Sequence, residues 1–498
     1  MNRTIAMMGL LGAIAVQAAD RPNILVLISD DQNSGSIGCY GAKFETPNID
    51  RLAKEGVRHT RAYTTSSLCV PTRYSCLTGS YPSRCRNRLF REYNFQPPIR
   101  NGAFFCDTDR TIAMALRNAG YFTGATGKWH NDFHESVSLH KIPRDADPRD
   151  PATVRLLKAT QEEHRQLLKT YGFDYAECAT HGNLSNYPDA LAHHNVEYTV
   201  KGAVDFLDRV PDGKPFFLWT AFTTTHGPRE RIDTVNVTVT PEGITDKAVG
   251  VMPPRSTFIE GNENWVEKQT VLWMDSGIGV ILDKLEKMGE LDNTLIVFLA
   301  DQQNTGKSTP YECGNNIPFI ARWPNGGVSA GQISDTLLDV TDMTATFMDV
   351  SGAQPVEGMH LDGMSIMPVW KGKTDVLKPA IYTESGYAKG VVSKDWKYIA
   401  IRYNDEILQR GFNPNLSGPL KENMEAGNFE LLWKKTPFGQ DTKKIGWADP
   451  DQLFDLTKDP EEQNNLAGNP EYANVLKEMK QHLSGYVHDI GRPFGEFN

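Results

Sequence analysis

The chain is expected to be an α/β protein: a large domain on a mostly parallel central sheet flanked by helices, then a smaller C-terminal α+β domain with a short antiparallel sheet. Three observations lead there. Unbroken apolar runs such as Ile24-Leu25-Val26-Leu27-Ile28 and Leu295-Ile296-Val297-Phe298-Leu299 recur between helical patterns, and strands apolar on both sides belong to sheets covered on both faces. Several runs end in charged residues, and open α/β folds place their ligands beyond the carboxyl ends of parallel strands. After Trp370-Lys371-Gly372-Lys373 the pattern changes to short alternating strands, as in antiparallel sheets. At 498 residues the chain exceeds what one core usually serves, so a division at about residue 375 is expected, with 20–375 as the main domain and 376–498 as the smaller one.

Composition bounds the function. With 39% hydrophobic and 23% charged residues the chain is an ordinary globular protein, and a net charge of −10 argues against nucleic acid as partner. An anionic small ligand needs only a local cluster of cations. The seven cysteines are too few for a disulfide scaffold.

Residues 1–19 combine a charged start at Arg3, a short apolar core from Ile5 to Ala15 and a small-residue end at Ala18-Ala19. That order predicts an export signal, too short to span a membrane. A periplasmic or secreted bacterial protein follows.

The first strand, from Asn23 to Ile28, runs into Asp30-Asp31. On their own two acids at a strand end also suit a turn cap. Thr46-Pro47, apolar residues 49, 52 and 53, and Gly56 delimit a helix, followed by a short strand at 58–64. Next comes Cys69-Val70-Pro71-Thr72-Arg73, then Thr78-Gly79. Proline favours the first helical position, so Pro71 reads as helix start, Val70 as its cap and Gly79 as its stop. Cys69 would lie over unpaired N–H groups at the positive dipole end, a ready anion site, with Arg73 adding charge.

A buried structural thiol is the plain reading of a single cysteine, but Cys-x-Pro-x-Arg is rarer: about 0.02 chance matches are expected at average Pro and Arg usage. With its following Thr-Gly the motif resembles the signature of the type I sulfatases, formylglycine-dependent and arylsulfatase-like members of the alkaline phosphatase superfamily. The resemblance implies that Cys69 is oxidised to formylglycine by a formylglycine-generating or anaerobic sulfatase-maturating enzyme. The aldehyde hydrate, not a thiol, would be the nucleophile. If Cys69 is modified, six cysteines remain and permit up to three disulfides.

The remaining elements extend the resemblance. A helix at 111–118 precedes a strand from Tyr121 to Thr126, which leads into Gly127-Lys128-Trp129-His130, similar to the family's Gly-Lys-x-His. Residues 133–190 are polar, with a helix at 152–171, and read as an excursion from the core. His181, His193 and His194 read there as surface or core histidines. Helix 196–207 and the strand from Pro215 to Phe222 lead to His226, where the family also has a histidine. An amphipathic helix at 272–288 and the strand 293–300 lead to Asp301-Gln302, with Lys307 following.

Two strand-then-acid elements supply three carboxylates and an amide oxygen, a donor set suited to a hard divalent cation. The family carries Asn or His after this aspartate. Gln302 keeps the oxygen on a longer stem. The expected ligands are Asp30, Asp31, Asp301 and Gln302, and the expected ion is one Ca2+. Strand 317–323 and helix 342–352 close the main domain; strands 380–384, 389–393, 396–402 and 452–455 with a helix at 470–486 form the smaller one.

The resemblance implies these roles. Arg73, Lys128 and Lys307 complete an anion pocket. Asp301 helps deprotonate the nucleophile at 69, His226 with Lys307 protonates the leaving alcohol, and His130 deprotonates the second hydroxyl so that sulfate leaves and the aldehyde returns. The implied substrate is a sulfated carbohydrate. The alternatives are a phosphoester or phosphonate hydrolase on the same scaffold, a non-catalytic binder of sulfated glycans, and an unrelated thiol enzyme.

Overall fold

The computed structural model describes residues 21–88, 90, 102–227, 238–245, 249–253, 255–258, 267–402 and 449–497; the expected export signal and most of 403–450 lie outside them. The main sheet comprises β1 (Asn23–Ser29), β2 (Val57–Tyr63), β3 (Phe122–Lys128), β4 (Ala179–Thr180) and β5 (Phe216–Ala221). Residues β6 (Thr238–Thr240) and β7 (Gly243–Thr245) pair as a separate hairpin, and β8 (Thr294–Ala300), β9 (Asn316–Arg322), β10 (Gln332–Ser334) and β11 (Leu338–Asp339) complete the large sheet. Its order is β10-β2-β9-β8-β1-β5-β3-β4, with β11 also on β2. Only β9 runs against its neighbours, β2 and β8, so the mostly parallel expectation holds.

The apolar runs are continuous because both faces are covered. Ile24, Val26 and Ile28 of β1 join Val70, Leu77, Leu116 and Phe347 in one core, while Leu25 and Leu27 join Leu52, Phe206 and Leu282 in the other. Each face therefore has its own helices: Cys69–Thr78, Ile112–Asn118 and Thr341–Ser351 on one, Pro47–Glu55, Val196–Leu207 and Glu267–Met288 on the other. Burying one such aliphatic side chain is worth about 1.5–3 kcal/mol, so the alternation specifies the layering strongly.

The C-terminal strands β12 (Ala380–Ser385), β13 (Ala388–Ser393), β14 (Trp396–Ile401) and β15 (Asp451–Asp455) form an antiparallel sheet in that order. The Ala473–Ile490 helix packs on it through Met479, Leu483 and Val487, running past the expected end at 486. Buried polar groups join the two sheets: Lys397 bridges Glu312 and Glu462, and Ser385 Oγ donates to Ser308 O at 2.7 Å.

Three expectations are corrected. The Cys69–Thr78 helix starts two residues earlier than Pro71, with Leu68 as cap and its carbonyl accepting from Thr72 N at 3.1 Å. Proline is tolerated at the third position because no N–H of the first turn has an intrahelical partner. Gly79, at φ 73°, closes the helix as expected. All seven cysteines are free, so none of the permitted disulfides forms. The 133–190 excursion also returns to the core, since Ala179–Thr180 adds a strand beside β3.

His59 of β2 carries a pH consequence. It is fully buried, accepts a hydrogen bond from Trp370 Nε1 at 2.9 Å, and burial pushes its imidazole down to about 3. The native ring stays neutral while the unfolded ring binds a proton below about 6.5, so its contribution is complete above that pH and is lost as pH falls toward 3. Thermal unfolding of wild type and His59→Gln at stepped pH should show a shallower acid slope in the variant. Parallel slopes would contradict a buried neutral His59.

Candidate active site

Register decides which side chains meet. Ser29 pairs with Ala300, Ile28 with Ala221, Gly127 with Ala221, and Lys128 with Thr180. Strands β8, β1, β5, β3 and β4 thus end almost level. Asp301-Gln302, Asp30-Asp31, His226 and Lys128-His130 follow those ends along one edge. The amino end of the Cys69–Thr78 helix meets them there.

One oxygen from each of Asp30, Asp31 and Asp301 lies with Cys69 Sγ in a buried group whose atoms are all within 4.8 Å. Asp31 N donates to Asp301 Oδ1 at 3.0 Å, and Arg73 donates to Asp301 Oδ2 from Nε at 3.1 Å and Nη2 at 3.0 Å. Lys128 Nζ donates to Asp30 Oδ2 at 2.5 Å, and Lys307 Nζ to both Asp31 oxygens at 2.8 Å. Each carboxylate therefore has a cationic partner.

Charge and burial compete in these groups. Burial drives Asp30 upward, but Lys128, aided by His226, Arg73 and Lys307, holds it well below the usual carboxylate range. Asp31 is also held down, chiefly by Lys307 against its burial. Asp301 goes the other way, pushed up to about 7 by burial and the charge of Asp30 despite Arg73. Three carboxylates this close favour a cation among them.

Cys69 Sγ donates to Asp30 Oδ1 at 3.4 Å and accepts from Gln302 Nε2 at 3.0 Å. Burial pushes the thiol up to about 12 although Lys128 and Lys307 pull it down. An unmodified Cys69 is a thiol rather than a thiolate at neutral pH, which counts against a thiol nucleophile. Its sulfur marks where an oxygen of a hydrated aldehyde would stand.

The motif loop and the Lys307 loop are pinned together: Ser308 N donates to Ser67 O at 2.9 Å and Ser67 Oγ to Thr309 O at 2.6 Å. Glycines make the second loop possible. A Cβ on Gly306 would lie 2.3 Å from Gly314 N, and one on Gly314 would lie 2.2 Å from Gly306 O.

His226 Nδ1 lies 2.6 Å from Gly227 O, an acceptor only, so Nδ1 carries hydrogen and Nε2 is the titrating atom. Nε2 faces Asp31 Oδ2 at 3.6 Å. Burial holds this ring below its ordinary pKa. His130 is also buried and held well below, by burial first and Lys128 next, so it is a neutral base. Two neighbours carry no motif. Asn183 Oδ1 accepts from Lys128 Nζ at 2.7 Å, and His194 Nε2 donates to His226 O at 2.8 Å. His194, expected as a surface or core histidine, is buried and braces the His226 backbone. No sequence signal marks Asn183, because the strand before it is two residues long.

Gln302 reaches the carboxylates: its Nε2 donates to Asp31 Oδ1, while its buried Oε1 has no partner. Half a turn of the amide offers that oxygen to the same space, as a bound cation would require. The donor set of Asp30, Asp31, Asp301 and Gln302 thus fits a hard divalent cation. A cavity of about 480 Å³ at the far end of the Cys69–Thr78 helix is separate, and Arg84 in it is held by Asp362 and Asp489.

Residues 22–353 match the family model described as sulfatase. Curated relatives include an ulvan-active sulfatase of Formosa agariphila, 25% identical over 94% of this chain and 80% of that protein. The N-acetylgalactosamine-6-O-sulfatase of Bacteroides thetaiotaomicron is 25% identical over 93% of both chains, and human arylsulfatase A is 26% identical over 94% and 89%. Among solved structures, Ps i-CgsB in complex with k-i-k-neocarrahexaose superposes with TM-score 0.62 at 21% identity over 94% of this chain and 93% of that one. A protein in complex with its substrate D-glucosamine-2-N,6-O-disulfate superposes with TM-score 0.60 at 21% identity over 95% and 98%.

Proposed function

This chain belongs to the sulfatase family and is a sulfuric ester hydrolase, and from that premise we propose that it desulfates a sulfated carbohydrate through formylglycine formed from Cys69. One Ca2+ would be held by Asp30, Asp31, Asp301 and Gln302. The observation that carries the reading is the meeting of Cys69 with three carboxylates and three cations beyond the ends of parallel strands. The names of the relatives, which act on ulvan or amino-sugar sulfates, support a glycan substrate. Residues 20–375 would carry catalysis and 376–498 would form the smaller domain.

A sulfate ester resists attack because its oxygens repel nucleophiles and the alkoxide leaves poorly. Converted, residue 69 supplies a hydrated aldehyde with two hydroxyls, and the cation supplies positive charge against the sulfate oxygens. The chain's own residues do the rest. Asp30 Oδ1 contacts the position of the attacking oxygen, and Asp301, in the same group of carboxylates around residue 69, helps take its proton. A cation on Asp30 and Asp31 would free Lys128 and Lys307 to turn toward sulfate, with Arg73 held on Asp301. Neutral His130 takes the proton of the second hydroxyl when sulfate leaves.

His226 Nε2 protonates the leaving alcohol, and the negative charge of bound sulfate favours its protonated ring. His226→Ala should therefore slow sugar sulfates far more than an activated aryl sulfate, by a gap of about 10²–10⁴-fold. Equal losses for both esters, at saturating substrate with chemistry rate-limiting, would move the role to Lys307.

Export before residue 20, as the N-terminal pattern suggests, would place the enzyme in the periplasm or outside the cell. No described helix is long and apolar enough to cross a membrane. Paired aryl sulfate and aryl phosphate esters test the reaction class, and faster phosphate release would sink the proposal. A panel of defined sulfated oligosaccharides then identifies the sugar and position.

A further inference from the structure

The 179–183 segment adds a fifth parallel strand end to the active edge. Trp129 N donates to Thr180 O at 2.8 Å and His130 N to His181 O at 3.0 Å, so the chain leaves β4 in step with β3. Gly182 lets the segment lie against the catalytic histidine: a Cβ there would sit 3.2 Å from His130 Cδ2. Asn183 follows three residues after Thr180, the register partner of Lys128.

Chemistry fixes how the Asn183 amide faces. Lys128 Nζ is a donor only, so the atom 2.7 Å from it is the amide oxygen. Nδ2 then points away from Lys128, with two N–H donors that bond to no described residue, and the residue is partly buried beside a buried anion pocket. A donor pair left free on the residue that holds Lys128, one position after the Gly182 that lies against His130, is placed to meet a ligand that brings acceptor oxygens.

We propose that Asn183 is a substrate-contacting residue of this site, whose oxygen fixes Lys128 and whose amide N–H groups donate to an oxygen of the sulfated substrate. The proposal rests on the sulfatase reading. It assigns a specificity role to a segment that lacks any family motif.

Asn183→Ala and Asn183→Asp separate contact from mere positioning. Aspartate keeps an oxygen for Lys128 and can only strengthen that bond, but it replaces the N–H donors by a charged oxygen facing the anion. Hydrogen bonds to charged groups are worth about 10- to 100-fold in rate. Asn183→Ala should lose about that in kcat/KM, and Asn183→Asp should lose more, with weaker inhibition by inorganic sulfate and an unchanged unfolding temperature. Recovery of wild-type kcat/KM in Asn183→Asp, or no loss in either variant, would overturn the contact. If either variant fails to fold, Asn183→Ser, which retains one donor, is measured instead and should fall between wild type and a tenfold loss, with no loss again overturning the contact. Wild-type enzyme that releases no sulfate would instead refute the parent reading, so the two failures are distinct.

Discussion

Cys69→Ala is expected to fold normally and to release no sulfate. The residue is the first of a buried helix and its side chain is small, so truncation leaves a minor void and a stability loss of about 1 kcal/mol. Turnover should fall roughly 10⁴- to 10⁶-fold, the span seen when members of a covalent hydrolase's catalytic set are deleted. Cys69→Ser sharpens the test: a single hydroxyl can attack once, but no second hydroxyl remains to expel the product. The serine variant should accumulate a sulfated residue 69, visible by peptide mass. Wild type produced with a maturating partner should show an aldehyde there in place of the thiol. Full activity with an intact Cys69 thiol would rule out formylglycine.

Removing the cation is expected to have a comparable effect. Chelated wild type should lose turnover and regain it with calcium, because all-oxygen ligands on loops after strands suit flexible coordination better than the strict octahedron of magnesium. Asp301→Asn is the cleaner ligand variant. It keeps an acceptor for Arg73, whereas Asp301→Ala would take both Asp301 hydrogen bonds from that buried guanidinium and leave it Lys128 O and the more distant Asp30. Activity in Asp301→Asn should fall by 10² or more, beyond rescue by calcium, since loss of one electrostatic group at a reacting centre costs about 10²–10³-fold. Calcium should also raise the unfolding temperature of wild type, and less so that of the variant, a readout independent of catalysis. Full rate in demonstrably metal-free protein would eliminate the ion.

Much of the molecule could be read from local pattern. Apolar runs at Asn23–Ile28 and Leu295–Ala300 marked strands covered on both faces, because a strand between two helix layers has no polar side to show. Thr46-Pro47 and Gly56, or Pro71 and Gly79, bounded helices through backbone rules that act within one turn, although proline's tolerance anywhere in that turn left the start of the Cys69 helix two residues out. Cys-x-Pro-x-Arg and the acids after two strands carried the site by residue type.

What local pattern could not contain is register and approach between distant segments. Asp30 meets Asp301 because Ser29 pairs with Ala300, and Lys307 meets Asp31 through a loop closed by Gly306 and Gly314. The strand Ala179–Thr180 exists only because β3 offers an edge, as two residues have no periodicity of their own. Hence Asn183, beside Lys128, and His194, behind His226, emerged only in three dimensions. The sequence determined the fold class and the chemistry-bearing residue types, since those rest on short-range periodicity and side-chain identity. The tertiary structure alone decided most partners, the burial and the proton affinities of those residues, because these are set chiefly by groups tens to hundreds of positions away.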